Sequence, residues 1–275
     1  MKYDHFLETI IKVSIEAGDA IMEVYATDFS VNLKTDNSPL TMADTRANDI
    51  ILGVLNQTGL PVISEEGRHI PFHIRENWET FWLVDPLDGT KEFVNRNGEF
   101  SVNIGLISAK KPVLGVIYAP VDDILYFSDS EGAWKIEFAK GIVKANSDVA
   151  NLKRAGFKLP LERGDNDYTV VASRSHLNPE TTDFINKIKH EHDSLRIVSR
   201  GSSLKMCMIA EGKADVYPRF GITSEWDTAA GHAIVMAAGG RVVRMENKDI
   251  ELSYNNQDLE NPSFMALRPK KQNQL

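Results

Sequence analysis

Acidic side chains follow two short apolar runs in the first third of the sequence. The run at 61–63 is followed by Ser64, Glu65 and Glu66, and the run at 81–84 is followed by the motif DPLDGT at 85–90. Carboxylate oxygens are hard ligands that suit Mg²⁺, which usually binds a few carboxylates together with water and phosphate oxygens. Proline stiffens the turn between the two aspartates, and glycine lets the backbone approach a ligand. The motif therefore predicts a site for a metal and a phosphate together.

Each candidate acid also has an ordinary structural interpretation. The pattern Asp-x-x-Asp-Gly alone is equally typical of a turn that begins at aspartate. Asp227, in the segment EWDTAAGH, lies at the start of a predicted helix and alone would be assigned as its N-cap. Asp44 follows Thr41 by three positions, which is the spacing of a capping box. The chemistry therefore depends on whether the fold brings these acids together.

The apolar pattern predicts the elements that position the acids of the first half. Apolar residues in 6–24 recur every three or four positions, which predicts an amphipathic helix, and 41–55 predicts a second one. The runs at 61–63 and 81–84 predict buried strands that end at the acids. The segment 101–136 predicts several strands of an antiparallel or mixed sheet.

The second half is predicted to form another layered unit. Residues 144–167 are polar and irregular, so a domain boundary is placed there. Residues 1–145 would form an α+β half with most of the metal ligands, and 146–275 an α/β half with the substrate contacts and the last ligand. The predicted strands lie at 168–172, 195–198 and 214–217, and the predicted helices at 179–190, 202–211 and 227–238.

Composition and charge restrict the class of protein. With 275 residues, 42% of them hydrophobic, the chain can bury one or two cores. A net charge of -8 without a basic stripe disfavours binding to a nucleic acid polymer, but a small phosphorylated ligand needs only a few cations. The single cysteine, Cys207, excludes an intramolecular disulfide. No signal peptide or transmembrane segment is evident, so we expect a cytoplasmic protein, with peripheral contact with the inner membrane left open.

The order and separation of three motifs resemble a known enzyme family. Glu65-Glu66, DPLDGT at 85–90 and WDTAAG at 226–231 are similar to the signature of the inositol-monophosphatase superfamily of lithium-sensitive, magnesium-dependent phosphatases. The resemblance spans most of the chain. It implies an α/β fold arranged as an αβαβα five-layer sandwich, with the active site between the halves. It also implies two or three Mg²⁺ ions, bound by Glu65, Asp85, Asp88, Asp227 and the backbone carbonyl of Leu87.

Electrostatics favours the same grouping of acids. Four carboxylates about 5 Å apart, in an effective dielectric near 20, repel by roughly 3 kcal/mol per pair and would need divalent cations to coexist.

In the superfamily, the residues that match Asp44 and Thr90 together activate the attacking water, and the resemblance implies that role here. Backbone N–H groups near Gly89 and Thr90 would hold the phosphoryl oxygens. Glu225, next to Trp226, is expected to add an acid near the metals and to alter their affinity.

Further segments resemble the 3'(2'),5'-bisphosphate nucleotidase branch of this superfamily. KEF at 91–93 follows the central motif, and SRSH at 173–176, GSSLK at 201–205 and YPRFG at 217–221 resemble segments that contact the nucleotide. The implied reaction converts adenosine 3',5'-bisphosphate to AMP and phosphate, in sulfur assimilation or nucleotide salvage. Cations would be needed for the phosphate that is not cleaved. The implied substrate contacts are Gly89, Thr90, Ser173, His176, Ser202, Lys205, Arg219 and Asp227.

Other functions fit the same sequence. One alternative is an inositol monophosphatase or a sugar-bisphosphate phosphatase of the same superfamily. Another is a non-catalytic metal and nucleotide sensor, which the presence of Asp44 and Thr90 disfavours because a sensor needs no catalytic pair. Without the resemblance, Lys205 and Arg219 would be assigned as solvated surface charges, and His176 as an ordinary exposed or capped histidine. The sequence allows either a monomer or a homodimer.

Overall fold

The described part of the chain folds into five layers in the order helix, sheet, helix, sheet, helix. The structure is a computed structural model, and it describes residues 2–33, 39–146, 148–164, 167–173 and 178–269. The αβαβα fold predicted from the sequence is therefore confirmed. Among the helices of these ranges, none combines the length and the apolar character needed to cross a membrane.

Helices and strands are numbered in chain order. The helices are α1 Leu7–Tyr25, α2 Met42–Leu55, α3 Phe72–Arg75, α4 Thr90–Val94, α5 Ala139–Ala145, α6 Val149–Ala155, α7 Pro179–Glu191, α8 Leu204–Ala210 and α9 Glu225–Ala237. The strands are β1 Val31–Leu33, β2 Pro39–Thr41, β3 Val62–Ser64, β4 Thr80–Asp88, β5 Ser101–Ser108, β6 Lys111–Ala119, β7 Ile124–Asp129, β8 Gly132–Glu137, β9 Phe157–Leu159, β10 Tyr168–Ser173, β11 Leu195–Arg200, β12 Val216–Arg219, β13 Thr223–Ser224, β14 Arg241–Arg244, β15 Glu260–Asn261 and β16 Phe264–Leu267.

The first two long helices cover one face of a seven-stranded sheet. Ile10, Ala17 and Ile21 of α1 and Ile51 of α2 are fully buried against that sheet. Removing such side chains from water stabilises the fold by about 1.5–3 kcal/mol each for the larger ones. The sheet order is β3-β4-β5-β6-β7-β8-β9, in which β3 and β4 are parallel and the other neighbours are antiparallel. The predicted helix period is confirmed for both helices.

The middle layer consists of α8 and α9, between the two large sheets. Helix α9 lies directly on β5 and β6 because Gly105 and Gly115 have no side chains there. A Cβ atom on Gly105 would lie 2.8 Å from Ala229 Cβ, and one on Gly115 would lie 2.3 Å from the carbonyl oxygen of Ala230. These contacts fix the position of α9, and with it Asp227, relative to the first sheet.

The second large sheet has the order β11-β10-β12-β16-β14 and is covered on its outer face by α7. β10 is parallel to β11 and β12, as the predicted alternation of strands and helices requires. β16 lies between β12 and β14 and is antiparallel to both. The predicted elements of 168–238 are confirmed, with ends that differ by a few residues.

The structure corrects two expectations, one about the segment 144–167 and one about the end of β4. Residues 144–167 are not irregular throughout, since they contain α6 and β9, and β9 pairs with β8 to extend the first sheet. The division of the chain at residue 145 stays a prediction. β4 does not end before Asp85 but continues to Asp88, with irregular pairing between these two residues. Pro86 explains the irregularity because it has no backbone N–H to donate to the neighbouring strand.

Candidate active site

Carboxylates from both halves of the chain meet where β3 and β4 end and α9 begins. Glu65, Asp85 and Asp227 each place an oxygen so that these atoms all lie within 4.8 Å of one another. Because β3 and β4 are parallel neighbours, their carboxyl ends meet at the same sheet edge, and the Glu65 N–H donates to the carbonyl of Val84 at 3.0 Å. The structure thus brings three of the predicted metal ligands into one group.

Asp88 and Leu87 lie beside this group, in the turn that follows Asp85. Asp88 lines the same cavity as Glu65 and Asp227. Its Oδ2 accepts hydrogen bonds from the Ser203 N–H at 2.6 Å and the Ser203 hydroxyl at 2.7 Å. The carbonyl oxygen of Leu87 lies 3.3 Å from Thr90 Oγ1. The second half of the chain therefore supplies donors to an acid of the first half.

Ionisation of the clustered acids is disfavoured by burial and by mutual repulsion. Burial is the main cause that raises the pKa of Asp85 well above its usual value, and Glu65, Asp88 and Asp227 raise it further. Burial also raises the pKa of Asp227 well above its usual value, with added contributions from Asp88 and Glu65. A cation among these oxygens would offset both effects. Carboxylate and carbonyl oxygens are a hard donor set, so the group fits a divalent metal ion.

Asp44 and Thr90 are in contact, as the resemblance implies. Thr90 Oγ1 donates to Asp44 Oδ1 at 3.2 Å. Asp44 Oδ2 accepts from the Thr41 N–H at 2.7 Å and from the Thr41 hydroxyl at 2.6 Å, which forms the predicted capping box at the start of α2. One buried carboxylate therefore caps a helix and contacts a hydroxyl that faces the cavity.

Asp227 is not the N-cap of its helix. Ser224 is the N-cap of α9, and Asp227 is the third residue of the helix, where its Oδ2 accepts from the Ser224 N–H at 2.9 Å. The reciprocal contacts of a capping box hold this carboxylate at the helix start. The positive end of the helix dipole favours a negative charge at this position.

Glu225 does not join the acidic group, which corrects the expectation stated above. Its two carboxylate oxygens accept from the backbone N–H groups of Asn255 and Asn256, both at 2.7 Å. Side chains two positions apart on a helix project about 200° apart, so Glu225 and Asp227 face different surroundings. Burial raises the pKa of Glu225 to about 7. Arg75 of the first half donates to Asn255 Oδ1 at 2.7 Å and fixes the same loop.

A cavity of about 290 Å³ opens beside the acidic group. Of the predicted substrate contacts, His176 lies outside the described residues, and the others line the cavity: Gly89, Thr90, Ser173, Ser202, Lys205, Arg219 and Asp227. Further lining residues that sequence reasoning did not assign include Lys91, Ser203, Tyr217, Thr223 and Thr228. The predicted contacts are therefore gathered around one cavity.

Gly89 has a backbone conformation that is unfavourable for residues with a side chain. Its φ is 92°, and a Cβ atom would lie 3.0 Å from the carbonyl oxygen of Glu99. Only glycine accommodates both conditions at low cost. Because α4 begins at Thr90, the N–H groups at its start have no partner within the helix and can face a ligand.

Among the described residues, three cationic side chains line the cavity, Lys91, Lys205 and Arg219, and the last two are predicted substrate contacts. Lys205 is buried, and its Nζ donates to the carbonyl of Ser202 at 2.5 Å and lies 5.5 Å from the ring centroid of Tyr217. Burial lowers the pKa of Lys205, Asp88 opposes this effect, and the nearby charge of Arg219 lowers the pKa further. Arg219 Nη2 donates to the carbonyl of Ile222 at 3.1 Å. An anion bound in the cavity would stabilise both positive charges.

Known proteins are similar to this chain in sequence and in structure over nearly its whole length. The sequence model of the inositol monophosphatase family matches residues 2–274. A 3'(2'),5'-bisphosphate nucleotidase CysQ from Salmonella typhimurium is 45% identical over 262 residues, which cover 94% of this chain and 98% of that protein. The protein of the same name from Escherichia coli K12 is 42% identical with the same coverage. The crystal structure of CysQ from Bacteroides thetaiotaomicron has a TM-score of 0.87 and 44% identity, and the match covers 98% of each chain.

Proposed function

The chain belongs to the inositol monophosphatase family, and on this premise we propose that it converts adenosine 3',5'-bisphosphate to AMP and phosphate. The observation that carries the proposal is the meeting of Glu65, Asp85 and Asp227 beside a cavity lined by Lys205 and Arg219. The acids suit a metal-dependent phosphatase, and the cationic side chains of Lys205 and Arg219 suit a substrate with a second phosphate. The relatives named 3'(2'),5'-bisphosphate nucleotidase support the same substrate.

We propose Mg²⁺ as the metal, with two or three ions held by Glu65, Asp85, Asp88, Asp227 and the Leu87 carbonyl. When bound, Mg²⁺ supplies stabilisation of the charge that develops on the phosphoryl oxygens and lowers the pKa of water. The raised pKa values of Asp85 and Asp227 support this assignment, because their causes are burial and the repulsion of neighbouring acids, and bound cations would offset both.

Asp44 and Thr90 are the proposed catalytic pair. The Thr90 hydroxyl donates to Asp44 Oδ1 at 3.2 Å, and its oxygen can accept a hydrogen bond from the attacking water. As the proton of the water passes to Thr90 Oγ1, the proton of the threonine hydroxyl would pass to Asp44 Oδ1. Asp44 keeps its orientation because the capping box at Thr41 engages its other oxygen. The pair therefore orients the water and takes its proton, while the backbone N–H groups of Gly89 and Thr90 hold phosphoryl oxygens.

The phosphate that is not cleaved is proposed to bind Lys205 and Arg219, with Ser173 and Ser202 contacting the phosphate or ribose. A cavity of about 290 Å³ lies near the lower end of the size of small-ligand sites, roughly 300–1,000 Å³, so it suits a compact substrate. A buried ammonium forms strong hydrogen bonds to a phosphate because little water competes. His176 stays a predicted contact.

The cellular setting is also a proposal. Sulfur assimilation or nucleotide salvage in the cytoplasm would supply the substrate, and contact with the inner membrane stays open. A homodimer is compatible with the proposed site, which is built from residues of one chain. A nucleic acid polymer is not expected as a partner, because the net charge is -8.

The experiment that tests the proposal compares substrates at equal, saturating Mg²⁺. Phosphate release would be measured from adenosine 3',5'-bisphosphate, inositol 1-phosphate and fructose 1,6-bisphosphate, with AMP identified by chromatography. We expect kcat/KM for the nucleotide to exceed that for inositol 1-phosphate by about a hundredfold, since inositol 1-phosphate has no second phosphate for Lys205 and Arg219 to bind. Fructose 1,6-bisphosphate has a second phosphate but no nucleoside, so we expect a lower kcat/KM for it as well. A preference for inositol 1-phosphate would contradict the assignment. No turnover of any substrate, with intact Mg²⁺ binding, would instead indicate a sensor.

A further inference from the structure

Ser203 contacts metal-site elements from both halves of the chain. Its backbone N–H and its hydroxyl both reach Asp88 Oδ2, at 2.6 and 2.7 Å. The same hydroxyl lies 2.8 Å from the carbonyl oxygen of Asp227. One buried residue at the start of α8 therefore joins the acid that ends β4 to the helix turn that carries Asp227.

Asn103, on β5, completes the contacts of the same carboxylate oxygen. Its Nδ2 donates to Asp88 Oδ2 at 3.2 Å and to Ser203 Oγ at 2.9 Å. Its Oδ1 accepts from the Ser101 hydroxyl at 3.0 Å, which fixes the amide so that its NH₂ group faces Asp88. Asn103 is 1% exposed, so water does not compete for these bonds.

Three donors on one oxygen restrict the rotation of the Asp88 carboxylate. With Oδ2 engaged in this way, Oδ1 is the atom left to bind a cation. Groups that hold a metal ligand in this manner typically affect metal affinity by about 10- to 100-fold.

We propose that Ser203 and Asn103 are positioning residues that fix Asp88 for cation binding. This inference rests on the metal site of the proposed function. Sequence reasoning assigned the neighbouring hydroxyl of Ser202 to the substrate and overlooked Ser203. The segment GSSLK at 201–205 gives no signal of which serine faces the acids.

The test measures Mn²⁺ binding directly, by electron paramagnetic resonance of free Mn²⁺ in the absence of substrate. Ser203→Ala should weaken Mn²⁺ binding about tenfold, and Ser203→Thr, which keeps the hydroxyl, should restore it. Ser14→Ala is the matched control, because Ser14 is fully buried in α1 and its hydroxyl donates to the carbonyl of Ile11. It should leave Mn²⁺ affinity unchanged.

A second readout separates positioning from catalysis. For Ser203→Ala, the Mg²⁺ concentration that gives half-maximal phosphate release should rise by the same factor as the Mn²⁺ dissociation constant, while kcat at saturating Mg²⁺ changes much less. Asn103→Ala should act in the same direction, and the double variant should lose less affinity than the two single losses predict, because both residues serve one oxygen. If Ser203→Ala does not fold, Asn103→Ala carries the test alone.

The outcomes distinguish the two proposals. Unchanged Mn²⁺ affinity in both Ser203→Ala and Asn103→Ala would overturn the positioning role even if the wild type is an active phosphatase. An equal loss of affinity in the Ser14→Ala control would overturn it as well. Tight Mn²⁺ binding by the wild type without hydrolysis would count against the proposed function alone, and the loss of affinity in Ser203→Ala would still support positioning.

Discussion

Replacing Asp85 by asparagine removes one charge from the acidic group with almost no change of shape. Asp85 is 2% exposed, and one of its oxygens lies within 4.8 Å of oxygens of Glu65 and Asp227. Its Oδ1 accepts from the Leu87 N–H at 3.1 Å, a bond that the amide oxygen of asparagine can keep. The substitution therefore tests charge rather than packing.

The size of the effect follows from the distances. At 4.8 Å and an effective dielectric near 20, each carboxylate pair repels by about 3 kcal/mol. Because the pKa values of Asp85 and Asp227 are raised, any proton that binds to either acid relieves part of this repulsion. We therefore expect Asp85→Asn to raise the free energy of unfolding without metal by about 1–3 kcal/mol. With Mg²⁺ at a hundred times its dissociation constant, the free energy of unfolding should rise by about 2.7 kcal/mol for the wild type and by almost nothing for the variant.

The assay is urea unfolding at neutral pH, once with EDTA and once with saturating Mg²⁺. Asp49→Asn is the matched control, because Asp49 is exposed on α2 and should change stability by less than about 0.5 kcal/mol in either condition. Loss of stability of Asp85→Asn in EDTA, combined with a gain from Mg²⁺ as large as that of the wild type, would refute the reasoning.

Three further predictions concern the cationic side chain of Lys205, the pH dependence of Mg²⁺ binding and the packing of α9 on the first sheet. Lys205→Ala should raise KM for adenosine 3',5'-bisphosphate by about 10- to 100-fold, because a charged hydrogen bond contributes about 1.5–3 kcal/mol. It should raise KM for 3'-AMP, which has no second phosphate, much less. Equal increases for the two substrates would show that Lys205 does not bind the second phosphate. Because Asp85 and Asp227 have raised pKa values, Mg²⁺ binding must displace the protons that these acids carry. Titration calorimetry should therefore show that Mg²⁺ affinity falls as pH falls, by up to about tenfold per pH unit for each displaced proton. A Mg²⁺ affinity that does not change with pH below neutrality would contradict this prediction. Gly115→Ala should cost about 1–3 kcal/mol of stability and weaken Mg²⁺ binding, since its Cβ would meet the helix that carries Asp227. Gly53→Ala in α2, where an added Cβ would meet no heavy atom within 4 Å outside its own helix backbone, should stabilise the protein by about 0.5–1 kcal/mol in the same denaturation assay.

Much of the fold could be predicted because its elements have simple patterns. The period of α1 and the apolar runs of β3 and β4 are visible in the sequence, since one face or both faces of each element are buried. The place of β16 between β12 and β14 could not be predicted, because it depends on pairing between distant strands. α6 and β9 were missed because short elements at a polar surface leave little periodic signal.

The sequence predicted which residues belong to the candidate site, but only in part where their side chains point. The motifs around Asp85 and Asp227 identified acids that the structure brings together. The direction of Glu225 could not be read from its position next to the motif, because it depends on the helix phase and on a loop near residue 255. Ser203 and Asn103 were missed because their contact with Asp88 joins three separate elements.

The central claim is that acids from the first third and the last quarter of the chain bind the same divalent ions. Anomalous diffraction from crystals soaked in Mn²⁺ tests it most directly, because the anomalous signal locates the ions without reference to activity. We predict peaks in contact with Glu65 and Asp85 and also with Asp227. Peaks that contact acids of only one half, or no peak at this group of acids, would contradict the account.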